Sequence, residues 1–147
     1  MAEQKQITIV VGLILDNKGQ LLLARRHQPQ NPEIHGKWEL PGGGIDFGEE
    51  ATESLKREIK EETGLKVEPV KLLPKIISKV ENFKGGNKLH VIILTYICKI
   101  VGGKLELGLD DEIAELKFVP PNEVKKYQAF SNVDEVAKWL MQNNPKS

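Results

Sequence analysis

The sequence predicts an α/β fold with a mixed β-sheet, and three observations carry that prediction. Apolar runs rich in β-branched residues recur at Ile7–Leu15, Ile76–Phe83, Leu89–Ile100 and Ile113–Val119. Two segments of helical composition interrupt or follow them, Glu49–Thr63 and the stretch after Asn132. The resulting order is hairpin, loop, helix, several strands, helix, which is not the strict alternation of a doubly wound parallel sheet.

Each element has its own signal. Ile7–Leu15 is continuously apolar, as expected of a strand buried on both faces. Asp16-Asn17-Lys18-Gly19 supplies turn chemistry, so Gln20–Arg26 reads as the returning arm of a hairpin. His27–Gly36 carries Pro29, Asn31 and Pro32 and reads as a loop. Lys37–Leu40 has room for a short strand before Pro41 and the glycine run Gly42-Gly43-Gly44. Gly64 stands where a helix ending at Thr63 needs a residue of left-handed conformation. Lys84–Lys88 joins the next two strands as a hairpin connection, Gly102-Gly103 marks another turn, and Pro120-Pro121 stops the last strand. Asn132 followed by Glu135 has capping-box spacing ahead of Val136–Met141, which predicts a closing helix with Asn132 as its N-cap.

Composition narrows the class. A chain of 147 residues is the size of one domain, 1–147, and 39% hydrophobic residues suffice for a core. Lys+Arg and Asp+Glu each number 21, which argues against a basic surface for duplex nucleic acid. A single cysteine, Cys98, forms no internal disulfide. The run Val91–Ile97 is broken by Thr95 and falls well short of the roughly 20 residues of a membrane helix. The first residues show no apolar signal core. A cytoplasmic monomer or homodimer without membrane contact is expected.

The chemistry concentrates in Leu40–Leu65. At about 100° per residue, Ala51, Leu55 and Ile59 form one apolar stripe. Relative to Ile59, Glu62 lies at about −60°, Glu58 at about −100° and Glu61 at about −160°. Three carboxylates thus crowd one arc beside the stripe, while Lys60 points away and Arg57 lies one turn before Glu61. Crowded carboxylates raise one another's pKa unless a cation is present, and a helix C-terminus disfavours anions. Such a broken local rule is expected at a functional site. Oxygen ligands without Cys or His suit Mg²⁺ or Mn²⁺, which commonly share their shell with substrate phosphates. A solvated acidic helix face is the simpler reading of Glu-x-x-Glu-Glu taken alone.

The complete spacing resembles the Nudix box at every defined position: Gly43, Glu49, Arg57-Glu58-Ile59, Glu61-Glu62 and Gly64-Leu65. The resemblance implies an α/β/α sandwich with a mixed sheet and a catalytic loop-helix-loop. It implies a pyrophosphohydrolase acting on a nucleoside diphosphate linked to another group X, with Mg²⁺ or Mn²⁺ as cofactor and a small nucleotide as substrate. By position, Glu58, Glu61 and Glu62 resemble the metal-binding carboxylates, the Gly43 carbonyl a further ligand, and Arg57 and Glu49 the pair that orients the helix. Asp110-Asp111-Glu112, with Asp111 at its centre, is the external acidic candidate, and a solvated acidic turn is the alternative.

Subfamily features are thinner. Lys37–Gly43 is similar to the corresponding segment of MutT-like nucleoside-triphosphate pyrophosphohydrolases. Arg26 is a candidate for a phosphate or base, Trp38 for base stacking or a half-buried place at the core rim, and Lys88 for the base. Asn132 either reads a base edge or only caps its helix. ADP-ribose hydrolases commonly carry a proline where this chain has Val80 and Glu81, and dinucleoside-polyphosphate hydrolases a tyrosine near Phe83. A nucleoside triphosphate, ordinary or oxidised, is therefore the expected substrate class. A dinucleoside polyphosphate and a non-catalytic nucleotide-sensing module are the alternatives.

Overall fold

The computed structural model describes residues 2–143. Strand β1 (Gln4–Ile14) runs parallel to a long strand near the middle of the chain, β7 (Lys88–Gly103), with Gln4 opposite Lys88 and Ile14 opposite Cys98. The glycine run forms β4 (Gly42–Gly44), antiparallel to β1 on its other side. The far edge of β7 is shared by two antiparallel strands, β6 (Ile77–Asn82) along its first half and β5 (Leu65–Leu72) along its second. A second, wholly antiparallel sheet has the order β3 (Trp38–Glu39), β2 (Leu21–Arg26), β8 (Ile113–Val119). The first sheet is mixed, as the sequence predicts.

Continuous apolar character in β1 and β2 reflects burial on both faces. Val10, Ile14 and Leu22 face one core with Leu55 and Ile59 of helix α1 (Ala51–Thr63). Val11, Leu13, Leu21 and Leu23 face the other, with Val133, Val136 and Leu140 of helix α2 (Ser131–Asn143). Full burial of a side chain such as Leu55 or Ile59 contributes about 1.5–3 kcal/mol. The two cores, one against each helix, make an α/β/α sandwich. Among the described residues no helix is long and apolar enough to cross a membrane.

Three expectations need correction, and one strand has no sequence signal. The predicted hairpin closes only at its base, where Leu15 bridges Leu21 and the Asp16 N–H donates to the Gln20 carbonyl (3.0 Å). Beyond that point β1 and β2 part into different sheets, because each must bury both faces. Strand β5 carries Lys66, Pro69 and Lys71 and has no clean alternation, so it was not predicted; register shifts flank Val67 and Pro69. Gly102-Gly103 is no free turn but the end of β7, paired with Lys66 and Leu65. Helix α2 begins at Ser131, so Asn132 lies inside its first turn and is not the N-cap.

Candidate active site

Helix α1 presents the box carboxylates in a graded way. Glu62 is only 4% exposed and accepts a hydrogen bond from the Gly42 N–H (2.8 Å), which ties the helix end to the glycine run. Glu58 is largely covered, and Glu61 is half exposed. Gly43 packs directly on Glu58: a Cβ there would stand 2.8 Å from the Glu58 carboxyl carbon and push that side chain from its place. Gly64 ends the helix at φ 79°, in the left-handed region that glycine adopts without strain, and its N–H donates to the Lys60 carbonyl.

Arg57 holds this arrangement at its N-terminal side. Its Nε and Nη2 donate to the two Glu49 carboxylate oxygens (3.0 and 3.1 Å), a bidentate pair that draws Glu49 down to a pKa of about 2. Its Nη1 lies 3.3 Å from Glu58 Oε1 and 3.3 Å from Glu61 Oε1, and its Nη2 reaches Asp46 (3.3 Å). These carboxylates keep the guanidinium firmly charged, the bonds to Glu49 foremost.

A second acidic residue stands behind Glu62, and sequence reasoning gave it no role. Glu39 is 9% exposed and accepts Arg26 in a bidentate pair (2.9 and 3.2 Å). Burial pushes the Glu39 carboxyl up to about 7 against the pull of Arg26. Burial, together with the charge of Glu39, pushes Glu62 up to about 9. Glu58 is raised too, chiefly by desolvation, with Glu61 and Asp110 adding repulsion that Arg57 offsets in part. The available signal for Glu39 was a charged residue set between Trp38 and Leu40, where two large apolar neighbours mark a buried strand.

The donor set fits a hard divalent cation. Glu58, Glu61, Glu62 and the Gly43 carbonyl offer only oxygen, and the crowded, desolvated carboxylates lack enough positive charge nearby. As placed, no three His, Cys, Asp or Glu side chains among the described residues converge on one point; Glu58 and Glu61 are each paired with Arg57.

A cleft of about 370 Å³ opens beside this cluster. Its floor is apolar, from Ile9 and Val11 of β1 and Val91 and Ile93 of β7. Gly42–Gly44, Glu39 and Arg26 close the inner end, and Phe83, Phe130, Glu33 and Asn132 stand around the remainder. Asn132 is 6% exposed and makes no side-chain hydrogen bond among the described residues.

The structure brings together Glu49, Arg57, Glu58, Glu61, Glu62 and Gly43, and lines the cleft with Arg26 and Asn132. Three predicted residues fall elsewhere. Trp38 is buried in the core, edge-on to Tyr127 with ring centroids 5.4 Å apart, and does not line the cleft. Lys88 faces a separate groove with Lys5 and Asn87, because alternation along β7 gives the cleft Leu89 and Val91 instead. Asp111 is exposed; its neighbours face the site instead, the charges of Glu112 and of the half-buried Asp110 both acting on Glu39, that of Asp110 also on Glu58, and Glu112 lying 3.8 Å from the Arg26 guanidinium.

Fold and site together define a hydrolase of phosphoanhydrides, with oxygen donors beside a cleft of ligand size. Residues 5–140 match the NUDIX domain, and the chain belongs to the Nudix hydrolase family. An ADP-ribose pyrophosphatase of Methanocaldococcus jannaschii is 35% identical over 136 residues, spanning 92% of this chain and 75% of the relative. A nucleoside triphosphatase NudI of Escherichia fergusonii is 30% identical over 126 residues, spanning 84% of this chain and 88% of the relative. The structure of a MutT protein from Methanosarcina mazei superposes with a TM-score of 0.78 at 25% identity over 99% of each chain. The chain is thus a hydrolase of nucleoside diphosphate derivatives.

Proposed function

We propose that the protein is a Mg²⁺- or Mn²⁺-dependent pyrophosphohydrolase that converts a nucleoside triphosphate, ordinary or oxidised, into the monophosphate and pyrophosphate. The carrying observation is an apolar-floored cleft, of a size for one nucleoside, whose inner end is lined by the glycine run, Glu39 and Arg26. Glu58, Glu61, Glu62 and the Gly43 carbonyl would hold the cation. When bound, the cation supplies charge neutralisation at the phosphates and activates water. Arg57 and Glu49 brace the carboxylates, Arg26 offers its guanidinium to a phosphate at the inner end, and one carboxylate takes the proton of the attacking water.

Asn132, a buried amide in the cleft wall, is the group proposed to read a base edge. Asn132→Asp replaces an amide donor by an acceptor-only group, and a base left with an unpaired buried edge costs about 1–3 kcal/mol. The order of kcat/KM among purine and pyrimidine triphosphates should therefore change by about tenfold or more. A uniform shift across all substrates would remove Asn132 from base reading. ADP-ribose is the second reading, favoured by the Methanocaldococcus jannaschii relative.

A further inference from the structure

Trp38 lies outside the cleft, yet it joins the cleft wall to the catalytic loop. Its N–H donates to the Gln128 carbonyl (2.9 Å), and its carbonyl accepts from the Phe130 N–H (3.0 Å). The segment so held leads directly into Phe130 and Asn132, which line the cleft. On the other side, the next residues are Glu39, paired to Arg26, and Gly42, whose N–H holds Glu62. One short strand therefore fixes the distance between the group that meets the nucleoside and the groups that meet the phosphates.

The backbone bonds hold the segment at one point, the bridge between Trp38 and Ala129. The side chains add a second hold: the Trp38 indole meets the Tyr127 ring edge-on at 75°, and Tyr127 itself closes the preceding turn through its N–H to the Val124 carbonyl (2.9 Å). Arg25 covers the indole (5.9 Å to the centroid) and Lys117 covers the Tyr127 ring (5.3 Å). None of these four side chains lines the cleft.

We propose that the Trp38–Tyr127 contact is a positioning device for substrate selection: it sets Phe130 and Asn132 against the nucleoside without touching it. The proposal rests on the reading that the cleft takes the nucleoside. Loosening the contact weakens the grip on the base while Glu58, Glu61, Glu62, Arg57 and Glu49 stay in place, so KM changes and kcat does not.

The experiment compares wild type, Tyr127→Leu and Tyr127→Phe as the full chain with Mg²⁺, on ATP, GTP, CTP, UTP and ADP-ribose. Tyr127→Leu should raise KM for the best substrate about two- to tenfold and narrow the spread of kcat/KM among bases, with kcat within about twofold. Tyr127→Phe, which keeps the ring edge, should behave as wild type. If Tyr127→Leu fails to fold, Trp38→Phe is read in the same way. Equilibrium binding of α,β-methylene nucleoside triphosphates gives the comparison without turnover. A variant with a lower melting temperature but unchanged KM and base order would overturn the proposal, as would an equal fall in kcat for every substrate. Wild type that cleaves ADP-ribose alone would contradict the triphosphate reading, and KM for ADP-ribose in Tyr127→Leu then decides the positioning role.

Discussion

Glu62 stands nearest the apolar stripe on the helical wheel, and its burial follows from that angle. The order of exposure, Glu62 below Glu58 below Glu61, repeats the angular order read from the sequence, so the graded cluster was legible before any coordinates. The partner behind it was not, since no local rule brings Glu39 across from another sheet. With its folded-state pKa raised to about 9, Glu62 makes folding take up a proton. The Glu62 contribution to metal-free stability is thus fully present below about pH 4.5 and is lost as pH rises through about 9; Glu39 acts in the same direction up to about 7, and Glu49, held near 2, acts in the opposite direction below 4.5. Glu62→Gln should remove most of that slope, stabilising the metal-free protein at pH 8 on the order of 1–3 kcal/mol while leaving pH 4 unchanged. Urea midpoints at the two pH values in EDTA measure this, and a variant no more stable at pH 8 refutes it. Thr95 offers a cleaner case: among the described residues its buried Oγ1 has no hydrogen-bond partner. Thr95→Val keeps the shape and removes the polar atom, so stability should rise by about 1 kcal/mol in the same assay.

Elements were legible where periodicity or capping was strong. Helix α1 and its Gly64 terminus lie where the sequence predicts, because an apolar stripe and a left-handed glycine are local signals. Strand β5 escaped notice because its partner β7, distant in sequence, supplies the order that Lys66, Pro69 and Lys71 do not. Asn132 shows the limit of a motif: the capping-box spacing is present, but Ser131 is already helical, and the asparagine lines the cleft instead. The loop-to-helix brace gives a prediction at this scale. Arg57 bridges Glu49 before the helix to Glu58 and Glu61 within it, using a planar fork. Arg57→Lys keeps the charge but not the fork, so kcat should fall by about 10²-fold with little change in melting temperature. An unchanged kcat would show that the arginine is a solvated helix residue.

At the scale of the molecule, the proposed function gives the sandwich one consequence: the two helices would serve opposite ends of one substrate. Helix α1 brings carboxylates to the glycine run, and the start of α2 brings Asn132 to the cleft, with the parallel pair β1 and β7 as the common floor. The pairing of β1 with β7 spans most of the chain, so the sequence indicated the sheet's mixed character but not which strands it joins. The family was legible from the box alone, whereas the cleft was assembled from loop, strand and helix residues whose convergence has no sequence signature. The relatives' names divide between ADP-ribose and nucleoside triphosphates, and product analysis separates them. The deciding measurement is the products formed from nucleoside triphosphates and from ADP-ribose, each with Mg²⁺ and each with EDTA. The account predicts nucleoside monophosphate and pyrophosphate from a triphosphate, abolished by EDTA and faster than any cleavage of ADP-ribose. Release of orthophosphate, turnover undiminished in EDTA, or preferential cleavage of ADP-ribose would contradict it.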